Sequence, residues 1–162
     1  MEVNLKSMKG DVEMFGKLFK NKKKVFEDEF MEVQTDIMGL CVEGAETTNA
    51  VVSKIYAYCS IEEGVIVFYA FYDADGEIKT AEELGISEEI EEDMFLVGGQ
   101  DLMRLMDVCD RHNMPMPTEI RMYYDNVTGK FQAEYQYDPV CINGVSPDDV
   151  FESWINEIKA AK

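Results

Sequence analysis

Between Thr118 and Asp138 apolar and polar residues alternate on both sides of a short polar break. Ile120, Met122 and Tyr124 alternate with Glu119, Arg121, Tyr123 and Asp125. Beyond the break, Phe131, Ala133, Tyr135 and Tyr137 alternate with Gln132, Glu134, Gln136 and Asp138. A period of two on either side of Asp-Asn-Val-Thr-Gly-Lys predicts an antiparallel hairpin with one buried face. Within the connection, Asn126 and Gly129 are the residues best suited to positive φ angles.

Two further runs, Val51 to Ser60 and Val65 to Tyr72, are rich in β-branched and aromatic residues and flank Ile61-Glu62-Glu63-Gly64. They predict a second hairpin. The later run, VIVFYAFY, is apolar on both faces and should lie centrally, covered on each side. Asp73-Ala74-Asp75-Gly76 then reads as a turn. Its resemblance to the start of a calcium loop goes no further, because the bidentate acid and flanking helices of an EF-hand do not follow.

Helical spacing governs the rest. From Val25 to Val42, residues Phe26, Phe30, Val33, Ile37, Leu40 and Cys41 recur every three or four positions, which predicts an amphipathic helix stopping at Gly44. Thr80-Ala81-Glu82-Glu83 matches a capping box for one turn ending at Gly85, and Ser87 caps a longer helix. Its stripe runs through Ile90, Met94, Val97, Leu102, Leu105, Met106 and Cys109, with a kink or break expected at Gly98-Gly99. Ser146-Pro147 supplies an N-cap and an N1 proline for a last helix built on Val150, Phe151, Trp154, Ile155 and Ile158. The expected order is α-β-β-α-β-β-α. That is an α+β fold, with a four-stranded antiparallel sheet made from two hairpins and packed with helices.

Length and charge sharpen this picture. A chain of 162 residues suits one domain with a substantial core. Residues 1–24 hold seven lysines against three acids, a net of +4, and the remainder holds thirty acids against eight bases, a net of −22. We therefore expect a basic N-terminal extension over 1–24 and a single domain over 25–162. A short helix carrying Val12, Phe15, Leu18 and Phe19 is expected within the extension. So acidic a body repels nucleic acid and anionic membrane and attracts basic surfaces. No apolar run approaches the roughly 18 residues of a membrane span, and the N-terminus lacks a signal-peptide core. A cytoplasmic protein with no nucleic-acid or membrane partner is expected. Cys41, Cys59, Cys109 and Cys141 form no Cys-x-x-Cys pair, and reduced, buried thiols are expected.

Candidate chemistry is sparse. His112, the one histidine, sits at a helix end, where it can favour the C-terminal dipole. No HExxH, GxSxG, P-loop or dinucleotide fingerprint occurs, and no ligand set is spaced for a metal. The residues point to a non-catalytic protein without cofactor or metal. The densest unusual feature is acidic: Glu82, Glu83, Glu88, Glu89, Glu91, Glu92 and Asp93, with no Lys or Arg between Lys79 and Arg104. Such a cluster is either a solvated helix start with favourable dipole interactions or a patch that docks on a basic partner. In the docking case Met94, Phe95 or Tyr124 would supply burial.

The order of elements, with Tyr124-Asp125-Asn126, Thr128-Gly129-Lys130-Phe131, Tyr135-Gln136-Tyr137-Asp138 and a closing helix centred on Trp154, resembles the YezG-like immunity proteins over roughly residues 26–158. The resemblance implies a bacterial antitoxin that binds a cognate polymorphic toxin, often a nuclease, and blocks it. A nuclease presents a cationic groove to phosphate, and an acidic protein can occupy that groove. A second reading is an acidic secretion chaperone or other non-catalytic adaptor, which would offer an apolar groove to an extended segment. A third is an enzyme whose site is assembled from dispersed residues.

Overall fold

The computed structural model describes residues 2–4 and 25–162. In chain order the elements are β1 (Glu2–Asn4), α1 (Phe26–Glu46), β2 (Val52–Glu62), β3 (Val65–Ala74) and β4 (Glu77–Thr80). There follow α2 (Ala81–Leu84), α3 (Glu88–Arg111), β5 (Glu119–Asp125), β6 (Lys130–Gln136) and α4 (Pro147–Ala160). The short helix expected over Val12 to Phe19 lies outside the described residues.

The fold is α+β with an antiparallel sheet, in the order β1-β6-β5-β2-β3-β4. Both expected hairpins are present, but the sheet exceeds the four strands expected. Five strands lie within residues 52–136, and β1 adds a sixth beside β6. The strand β4 escaped the periodicity because its four residues, EIKT, contain a single fully buried side chain, Ile78. It forms because Asp75 and Gly76 both take positive φ, 54° and 81°. This two-residue connection folds the chain straight back along β3, with Ala74 opposite Glu77. In the β5–β6 connection only Gly129 has positive φ. Asn126 instead donates its side-chain amide to the Val52 carbonyl at 3.0 Å, tying the turn to β2.

Helices cover both faces of the sheet. On one face α1 and α3 pack over Ile55, Ala57, Cys59, Phe68, Ala70 and Tyr72. On the other, α4 sets Trp154 among Tyr56, Tyr58 and Phe71. The Trp154 ring meets Phe71 edge-on at 4.9 Å and Tyr123 at 5.5 Å, favoured geometries for aromatic pairs. The hairpin expected to bury one face does so in β6, where Lys130, Gln132, Glu134 and Gln136 are exposed. In β5 the second face is covered as well, because α4 lies over it. There Arg121 sits 5.3 Å from the centre of the Trp154 ring and pairs with buried Glu119 at 2.9 Å.

Two glycines expected to interrupt helices are points of close approach instead. The helix α1 continues through Gly44 to Glu46. A β-carbon on Gly44 would stand 2.5 Å from the Met94 sulfur. Likewise α3 runs unbroken through Gly98, where a β-carbon would stand 2.4 Å from the Phe68 ring. Missing side chains let α1, α3 and β3 approach closely, and that gain outweighs the helix cost of glycine.

Of the four thiols, Cys41, Cys59 and Cys109 are buried, and Cys141 is partly exposed. Burial pushes the Cys41 thiol up to about 12, so it behaves as a packing residue and not a nucleophile. No helix among the described residues is long and apolar enough to cross a membrane.

Candidate partner-binding face

The two short caps expected from sequence position the acidic cluster. Thr80 accepts from the Glu83 backbone amide, and Glu83 accepts in return from the Thr80 amide, both at 3.2 Å. Gly85 follows with φ 102°, turning the chain toward Ser87, whose hydroxyl accepts from the Ile90 amide. The α2 turn and the first turns of α3 therefore face each other across the middle of β3, at Phe68 to Ala70. Between them opens a cleft of about 500 Å³.

Four of the seven acids singled out from sequence, Glu82, Glu88, Glu91 and Glu92, line this cleft. The other three do not. Glu83 is engaged in its capping box, whose Thr80 amide holds its carboxyl below the usual range. Glu89 and Asp93 are exposed on α3 away from the cleft. Of the apolar neighbours expected, Phe95 stands at the cleft and remains 45% exposed, while Met94 lines it from a buried position. Tyr124 lines a different cleft, beside Lys54 and Lys130, and contributes nothing here.

Aromatic rings form the floor. Tyr69 packs against Phe151 at 5.0 Å and against Phe95 at 6.2 Å. Tyr69 comes from β3, Phe95 from α3 and Phe151 from α4, so only the tertiary fold unites them. No periodicity could have revealed that meeting. Phe151 reads from sequence as one more member of the inner stripe of its helix.

The electrostatics are one-sided. Among the described residues, Glu82, Glu88, Glu89, Glu91, Glu92 and Asp93 have no ion-pair partner within 4.0 Å. Partial burial, then Glu82 and Glu88, push the Glu91 carboxyl up. Burial, followed by the neighbouring Asp148 and Glu91 carboxylates, pushes the Tyr69 phenol up. Farther along α3 the picture reverses. Arg104 bridges Asp101 and Asp36, and Arg111 reaches Asp107 and Glu29. The cations of α3 are thus spent on α1 and on their own helix, and the uncompensated charge gathers at its start.

Carboxylates above aromatic faces attract ammonium or guanidinium groups, through charge-assisted hydrogen bonds and through the ring quadrupole. Among the described residues no group of three or more His, Cys, Asp and Glu is placed to hold a metal ion. No protein-family model matches the chain, and a search of curated proteins also finds no match.

Proposed function

We propose that this chain is an immunity protein of the YezG-like kind, which binds a toxin, a nuclease by preference, and neutralises it by covering its basic surface. The observation that carries this reading is the uncompensated carboxylate rim at the start of α3, formed by Glu82, Glu88, Glu91 and Glu92 over an aromatic floor. Like charges this close repel and cost stability. A cationic partner relieves that repulsion, and the long-range field of a body with so large an acidic excess speeds the encounter. The sequence resemblance supplies the partner class, and the rim supplies a surface that suits it.

The experiment is to co-purify the tagged protein with its companions, identify a basic toxin domain by mass spectrometry, and measure association kinetics. Charge reversal at Glu88, Glu89, Glu91 and Glu92 should slow association strongly at low salt and much less at high salt. Because Glu89 lies outside the cleft, reversing it alone should cost the least. Association unchanged by the quadruple reversal would remove this rim from the interface. Failure to recover any basic companion would remove the immunity reading itself.

A further inference from the structure

Beside the acidic cleft runs a mostly apolar groove of about 200 Å³, lined by Ile66, Phe68, Phe95, Leu96, Gly99 and Met103, with Gln100 its one polar member. Phe68 and Phe95 line both the groove and the cleft, so the two form one continuous surface. Its apolar members are unusually open. Leu96 and Met103 are each 60% exposed, although both lie on a helix whose opposite face is fully buried.

Gly99 explains why a groove exists. Its neighbour Gly98 is required by packing against Phe68, but a β-carbon on Gly99 would meet nothing within 4 Å. Neither packing nor φ demands glycine there, and glycine inside a helix costs stability relative to alanine. What its missing side chain does provide is the notch between Phe95 and Leu96 on one side and Met103 on the other.

We propose that groove and cleft together form one docking site for a short amphipathic segment of the basic partner. An apolar side chain of that segment seats over Gly99, and a neighbouring Arg or Lys reaches the carboxylates of Glu88, Glu91 and Glu92. Charge complementarity selects this occupant, because every charged residue that lines the surface is a carboxylate and no Lys or Arg stands among the lining residues. The inference rests on the protein-binding reading above and gives it a specific anchor.

The test uses two synthetic peptides, acetyl-Ala-Leu-Arg-Leu-Ala-amide and its counterpart with Glu in place of Arg. Binding is followed by the methyl resonances of Met94 and Met103 in the full-length protein. The Arg peptide should shift both methyl signals at millimolar concentration, and the Glu peptide should shift neither. Gly99→Leu fills the notch from a β-carbon that meets nothing within 4 Å and should weaken Arg-peptide binding at least tenfold. The triple substitution Glu88→Gln, Glu91→Gln and Glu92→Gln should do likewise. Equal shifts from both peptides, shifts from neither, or undiminished binding by folded Gly99→Leu would overturn the proposal. A dimer in sedimentation that Gly99→Leu dissociates would assign the groove to a second copy and overturn it too. Toxin binding unaffected by Gly99→Leu sinks the groove and leaves the immunity reading standing. Conversely, groove-specific peptide binding with no basic toxin recovered upholds the groove and sinks the immunity reading.

Discussion

The imidazole Nε2 of His112 is hydrogen-bonded to the carboxylate of Glu29, joining the end of α3 to the first turn of α1. Arg111, one residue earlier, reaches the same carboxylate at 3.3 Å. Phe26 lies beside the imidazole, 5.7 Å between ring centres. His112 is also the residue that ends α3, so the dipole role open to it from sequence is accompanied by a contact made across the fold.

This contact has a pH signature. His112, foremost, and Arg111 hold the Glu29 carboxyl below its ordinary value of 4.5. A depressed carboxyl stabilises the fold above the unfolded value, and that contribution is lost as pH falls through the folded one. Glu29→Gln should therefore be less stable than the parent at pH 7, by about 1 kcal/mol for a pair that is only partly buried. The gap should close as pH drops below 4.5. Urea midpoints measured at pH 7 and pH 3 check it, and a gap that persists at pH 3 would refute the assignment.

At Glu91 the sign is opposite. Its carboxyl is raised by partial burial and by Glu82 and Glu88, so the ionised form weakens the fold above the folded value. Glu91→Gln should raise the thermal midpoint at pH 7, and the gain should fade as pH falls to 4.5 and below. A loss of stability at pH 7 would show that the rim does not strain the free protein.

Adjacent glycines in α3 should respond in opposite directions to the same change. Gly98→Ala forces a β-carbon into the buried Phe68 ring and should cost about 1–3 kcal/mol, the usual scale of overpacking. Gly99→Ala meets open space and should stabilise by roughly 0.5–1 kcal/mol through helix propensity. Guanidinium chloride midpoints of the two variants decide this. Equal effects would mean that α3 is not held against β3 as described.

The helix starts were legible because their signals are local. Thr80 with Glu83, Ser87, and Ser146 with Pro147 all cap where the sequence predicts. The β5–β6 hairpin was legible because alternation over seven residues has a period that a helix cannot imitate, and the β2–β3 hairpin because its two runs are rich in β-branched and aromatic residues. What failed was local evidence that was too short or ambiguous. The EIKT strand has too few residues to show a period, and a glycine within an apolar stripe is compatible with either a break or a close approach. The choice between them at Gly44 and Gly98 belongs to Met94 and Phe68, which are distant in the chain.

The candidate site divides in the same way. Seven acids were visible as a cluster in the sequence, but spacing along the chain could not say which share a surface. Helix α3 places Glu88, Glu91 and Glu92 beside the cleft and Glu89 and Asp93 outside it, while Glu83 turns back to cap α2. The amino-acid order by itself determined the longer elements, the caps of α2, α3 and α4 and the excess of negative charge, since each follows from neighbours within a few residues. Only tertiary packing decided that Tyr69, Phe95 and Phe151 meet beneath those carboxylates, because burial of aromatic surface joins three elements whose sequences carry no record of one another.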